Sequence, residues 1–188
     1  ETVSANRCLS FAMGELEEIS CTQNTMDVEL LARFRYAKIG LANMAHHSKW
    51  RQIWQSQLEL LPPSLGRVGV TYVDFRTCGA PSIESVVEAS VNASCEVVLL
   101  DTYSKSIGNI LDFVSELQLR TILDQIRGCG LKSVVAGSLN LGCLKAVVRC
   151  KPDLIGVRGA VCNGSRRGAI DKDKLIEFVN GLNSIRGL

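Results

Sequence analysis

Asp153-Leu-Ile-Gly-Val-Arg-Gly-Ala-Val-Cys-Asn-Gly-Ser-Arg-Arg-Gly168 begins as an apolar strand and runs into a glycine-rich, basic loop. About twenty residues earlier, Ser133-Val-Val-Ala-Gly-Ser138 repeats the pattern and ends in Gly-Ser. Two successive strands with open backbone amides at their C-terminal ends are what a barrel enzyme uses to hold a phosphate.

Working outward, short apolar strands alternate with segments of helical period. Strands are expected at Cys8 to Met13, Tyr36 to Leu41, Arg67 to Asp74 and Glu96 to Thr102, besides the two above. Helices are expected over Met26 to Arg35, His47 to Leu60, Ser82 to Val91, Ile110 to Arg127, Leu141 to Arg149 and Asp171 to Ile185. Leu61-Pro-Pro-Ser-Leu-Gly66 stops the second helix, because proline cannot continue it. Repeated β-α units imply parallel strands with covering helices. Near-continuous apolar strands such as Val97-Val-Leu-Leu100 fit burial on both faces. No linker or composition shift interrupts residues 1–188, so a single domain is expected.

Two closures fit, an open doubly wound sheet or a (β/α)8 barrel, and charge placement favours the barrel. Lys38, Asp74, Asp101 and Arg158 lie at or near the C-terminal ends of four different strands. A charge there is too costly to bury in the apolar helix layer, so strand alternation directs it into the barrel mouth. Six units are present, two short of a full barrel, so the domain reads as an incomplete TIM-type barrel. Structural ion pairing, Lys38 with Asp101 for instance, is the plainer explanation of some of these charges.

Net charge is +2, with 46% hydrophobic and 21% charged residues. That gives no electrostatic case for nucleic acid or a membrane surface, and no apolar run has the length of a span. Eight cysteines without a C-x-x-C spacing read as buried free thiols of a cytoplasmic protein. His46-His47 lacks the clustered carboxylates or further histidine of a metal site.

Tyr36-Ala-Lys-Ile-Gly-Leu41, Leu100-Asp-Thr-Tyr-Ser-Lys105, Val135-Ala-Gly-Ser138 and Ile155-Gly-Val-Arg-Gly-Ala-Val-Cys162 together resemble the (5-formylfuran-3-yl)methyl phosphate synthase family, also called 4-(hydroxymethyl)-2-furancarboxaldehyde-phosphate synthase. The resemblance runs from about Cys8 to the C-terminus. It implies a TIM barrel that joins two triose phosphates derived from glyceraldehyde 3-phosphate, through lysine Schiff-base chemistry, in methanofuran biosynthesis. It implies a carbon–oxygen lyase with no cofactor and no metal. Its partner is a small phosphorylated substrate, and self-association into a homo-oligomer is allowed. Family members carry two further N-terminal strands, the second ending in an Asp-x-Lys motif that this sequence does not match.

The expected catalytic residues are Lys38, for carbonyl polarisation or proton transfer, Asp101 as acid/base, Lys105 as proton donor or phosphate ligand, and Asp74 in support. Tyr72 is expected at the substrate. Gly137, Ser138, Gly159 and Ala160 are expected to bind phosphate through backbone N–H groups, with Arg158 or Arg166 adding charge. Other outcomes are a different sugar-phosphate aldolase or isomerase barrel, or a non-catalytic barrel remnant that binds a phosphometabolite.

Overall fold

The computed structural model describes residues 10–19, 31 and 33–187. Among the described residues six strands run in chain order: β1 (Ser10–Glu15), β2 (Tyr36–Gly40), β3 (Gly66–Tyr72), β4 (Val97–Asp101), β5 (Lys132–Val135) and β6 (Leu154–Ile155). Each pairs parallel with its sequence neighbour, giving the sheet order β1-β2-β3-β4-β5-β6. The helices are α1 (Leu16–Ile19), α2 (Trp50–Glu59), α3 (Ile83–Asn92), α4 (Glu116–Gly128), α5 (Leu141–Arg149) and α6 (Lys172–Arg186). The expected helix over Met26 to Arg35 lies mostly outside the described residues.

Strand alternation sorts the side chains into two layers. Ala37 and Ile39 of β2 pack with Trp50, Trp54 and Leu58 of α2 and with Val86 and Ala89 of α3. Val98 and Leu100 of β4 and Val135 of β5 join Leu119 and Leu123 of α4 and Val147 of α5. The opposite face gathers Tyr36, Val68, Val70, Tyr72, Val97 and Leu99. Helices therefore cover one face, and the order never reverses. A doubly wound sheet would carry helices on both faces and reverse at a switch point. The sheet here is wound as a barrel wall.

Local signals explain most boundaries. Ser82 caps α3 by accepting the Ser85 N–H, and Asp171 caps α6 by accepting those of Asp173 and Lys174. The expected single helix from Ile110 to Arg127 is two elements. A short 3-10 turn at Ile110–Asp112 is capped by Asn109, and α4 begins after Ser115, which forms a capping box with Gln118. Two N-caps six residues apart each start an element, a signal that apolar periodicity passes over. The final strand is two residues long.

β3 and α3 approach closely at Gly69. A Cβ there would overlap Ser90 Oγ, and Ser90 is fully buried with its hydroxyl donating to the Val86 carbonyl. Gly69→Ala should overpack this contact and lower stability by about 1–3 kcal/mol. Urea denaturation should show a lower midpoint at unchanged slope; an unchanged midpoint would refute the packing argument.

Candidate active site

The C-terminal ends of the strands enclose a cavity of about 240 Å³. Ala12, Gly14 and Glu15 of β1, Lys38 and Gly40 of β2, Val70 and Tyr72 of β3 and Asp101 of β4 line it. Thr102, Tyr103 and Lys105 come from the loop after β4, and Arg166 from the loop after β6. The first strand and the last loop thus meet over one space, which requires the sheet to curve.

Alternation delivers the charges. Lys38 lies between inward Tyr36 and inward Gly40, and Asp101 follows inward Val97 and Leu99. Tyr72 and Asp101 are direct neighbours in the β3–β4 register. Lys105 Nζ donates to Asp101 Oδ1 at 2.5 Å and also to the Thr102 carbonyl. Asp101 Oδ1 accepts the Thr102 N–H as well, at 2.8 Å. The anticipated Lys38–Asp101 pair is replaced by this Lys105–Asp101 pair.

Lys38 is electrostatically perturbed. Burial holds its pKa below the ordinary 10.5, and the neighbouring cations Lys105 and Arg166 act in the same direction. Asp101 and Glu15 oppose them without cancelling the effect. Desolvation and like charge both favour the neutral amine. Tyr72 shifts the other way, upward through burial and then through Glu15, so its phenol keeps its proton.

Asp74 stands outside the cavity lining. It is buried, and its two carboxylate oxygens accept the N–H groups of Tyr103 at 2.7 Å and Ser104 at 2.8 Å. It ties down the loop that carries Lys105. Tyr103 meets Tyr72 edge-on, ring centroids 5.6 Å apart.

The expected phosphate turns sit at the same end, one step back from the lining. Gly137, with φ +93°, packs where a Cβ would press on Thr102, and its carbonyl accepts the Ile110 N–H. Ser138 follows, also left-handed and exposed. Gly159 and Ala160 form a 3-10 turn beside Arg166. Arg158 donates to the carbonyls of Arg166 and Gly168, so its guanidinium closes the loop that presents Arg166. Cys162 is buried, and its carbonyl accepts from Lys174.

Sequence reading missed Glu15. It lies two residues past the strand end expected at Met13, and the strand runs on to include it. A carboxylate directly after Gly14 was the available signal.

A family model described as 4-HFC-P synthase matches residues 1–179. The (5-formylfuran-3-yl)methyl phosphate synthase of Methanosarcina acetivorans is 35% identical over 115 residues, covering 61% of this chain and 49% of that protein. The enzyme of the same name from Methanocaldococcus jannaschii is 33% identical over 113 residues, covering 59% and 48%. The chain thus spans about half the length of these curated relatives. Among solved structures, the probable 3-DHS dehydratase AsbF from Bacillus anthracis superposes with TM-score 0.50 at 9% identity, covering 95% of this chain and 70% of that one. At that identity the likeness concerns fold alone.

The lowered pKa of Lys38 has a thermodynamic consequence. Between its folded value and 10.5 the unfolded chain binds more protons, so this residue makes stability rise with pH across that window. Lys38→Met removes the dependence. Urea unfolding at a series of pH values should show wild type gaining on the variant as pH rises towards 10.5. A pH-independent difference would contradict the assignment.

Proposed function

Because the chain belongs to the 4-HFC-P synthase family, we propose that it condenses two triose phosphates, supplied as glyceraldehyde 3-phosphate, to 4-(hydroxymethyl)-2-furancarboxaldehyde phosphate, releasing phosphate and water, in methanofuran biosynthesis. The observation that carries this reading is the lowered pKa of Lys38 in a cavity shared with Asp101 and Lys105. An amine with a lowered pKa gives up its proton more readily, which favours condensation with a carbonyl, and its protonated form can polarise one.

In this reading Lys38 activates the triose carbonyl, as a proton-transfer group or by forming an imine with loss of water. Asp101 removes the proton from the carbon beside that carbonyl. Lys105, hydrogen-bonded to the same carboxylate oxygen, returns a proton to the departing phosphate oxygen. That pairing of base and acid is a carbon–oxygen lyase step. Tyr72 contacts the substrate. Arg166, with the amides of Gly137, Ser138, Gly159 and Ala160, holds phosphate, and Arg158 supports the loop that carries Arg166. Asp74 acts through the Lys105 loop, since both its oxygens are engaged there.

The sequential winding supports a full (β/α)8 barrel in which two further units complete the wall. The described cysteines Cys78, Cys95, Cys129, Cys143, Cys150 and Cys162 are free thiols, which supports a cytoplasmic setting.

Incubation with glyceraldehyde 3-phosphate should generate the ultraviolet absorbance of a conjugated aldehyde together with inorganic phosphate. Lys38→Ala and Asp101→Asn should each lower that rate by about 10²–10⁴-fold while leaving the far-ultraviolet circular dichroism unchanged. Borohydride added with substrate should attach it covalently to a lysine. Phosphate release without the chromophore would favour another sugar-phosphate enzyme, and binding without turnover would favour a non-catalytic protein.

A further inference from the structure

Glu15 reaches the cavity by a local irregularity. β1 and β2 pair in step from Ser10 opposite Tyr36 to Ala12 opposite Lys38, and then Glu15 stands opposite Gly40. β1 advances one residue more than β2 over this stretch, which is a bulge at Met13 and Gly14. Gly14 has φ +116°, a conformation that side chains rarely adopt. Ala12 faces the cavity, so strict alternation would turn residue 15 towards the helices. The bulge reverses that and aims the carboxylate inward. Gly40 makes the space, since a Cβ there would overlap the Glu15 carboxylate.

Both carboxylate oxygens are then engaged. Oε2 accepts the Ala42 N–H at 2.8 Å. Oε1 accepts the Tyr72 hydroxyl proton at 2.7 Å. A phenol that has given its only proton to Glu15 has lone pairs alone to offer the cavity. We infer that Glu15 is a positioning residue that fixes the Tyr72 hydroxyl as a hydrogen-bond acceptor, so that the site selects a ligand with a hydroxyl donor at that wall. The selection rests on the reading of the cavity as a triose-phosphate site, whereas the orientation of Tyr72 does not. Burial and Glu15 keep the phenol from ionising, so the acceptor is a neutral oxygen.

Glu15→Gln tests this with little change of shape. The Ala42 N–H can only donate, so it takes the amide oxygen of the new side chain. The amide NH2 then faces Tyr72 and donates to it, and the tyrosine proton must turn into the cavity. An acceptor becomes a donor. The ultraviolet Raman Fermi doublet of tyrosine distinguishes the two states, and subtracting the Tyr72→Phe spectrum isolates Tyr72 from Tyr36 and Tyr103. Glu15→Gln should move the doublet away from the pattern of a strong donor to a carboxylate. Turnover of glyceraldehyde 3-phosphate should fall by about tenfold, the scale of one hydrogen bond. Glu15→Gln combined with Tyr72→Phe should be no slower than Tyr72→Phe alone.

An unchanged doublet, unimpaired turnover in Glu15→Gln, or additive losses in the double variant would each overturn the inference. If Glu15→Gln does not fold, Gly40→Ala displaces the same carboxylate and should remove the donor pattern. If the wild-type protein neither binds nor turns over glyceraldehyde 3-phosphate, the functional reading and the hydroxyl selection fall together, while the doublet still decides the orientation of Tyr72.

Discussion

Lys38 and Lys105 compete for the carboxylate at the end of β4, and Lys105 holds it. The Lys105–Asp101 contact is 2.5 Å long, with both side chains mostly out of solvent. Its persistence depends on a third residue, because Asp74 grips the backbone of Tyr103 and Ser104 just ahead of Lys105. Release of that loop would free Asp101 to attract Lys38, and a directly paired Lys38 would keep its proton. The chain Asp74 to loop to Lys105 to Asp101 therefore tempers an effect on the buried amine that burial dominates.

The opposite ends of the strands are built for a different purpose. Arg35 lies over the Tyr36 ring and pairs with Glu96 at 2.7 Å, beside Gly66, where a Cβ would collide with both Tyr36 and Glu96. Arg35 and Glu96 are about half exposed, so the pair contributes on the order of 0–1 kcal/mol. It closes the base of the wall. Charge at the base is about half exposed, whereas Lys105 and Asp101 at the top are mostly shielded. Burial, more than residue type, separates the two ends.

Much of this was legible in the sequence, for identifiable reasons. Leu141–Arg149 was readable to the residue because apolar periodicity and the Asn140 cap agree. Lys38, Tyr72 and Asp101 were readable as cavity residues because inward alternation places them at strand ends, and Lys105 because it closes the Leu100–Lys105 motif just past a strand. Asp74 satisfied the same rule, yet its oxygens turn to backbone amides. Whether a strand-end carboxylate meets a ligand or a loop depends on the loop's path, which no local pattern encodes. Arg158 likewise turns to its own loop's carbonyls and leaves Arg166 at the cavity. Glu15 was hidden by the bulge, since an extra residue shifts the parity on which inward and outward are assigned.

The distribution of cations bears on how an anionic substrate and a neutral amine can coexist. Around Lys38 the cavity sets Lys105 and Arg166 against Asp101 and Glu15, two charges of each sign, so burial is the main reason its pKa lies below the ordinary value. A phosphate bound beside Lys38 would undo this. At an effective dielectric near 20, a unit negative charge 4 Å away favours the ammonium by about 4 kcal/mol, and one 10 Å away by less than half of that. In the proposed reading, a phosphate held on the amides of the Gly137 and Gly159 turns, outside the lining that Lys38 shares with Arg166, would satisfy the anion while sparing the amine. The glycine turns standing back from the cavity lining are consistent with that need for distance. A site that, as proposed, bound phosphate and used a neutral lysine would have to keep the two apart, and Lys38 of β2 and the glycine turns after β5 and β6 lie on separate β-α units, which allows it.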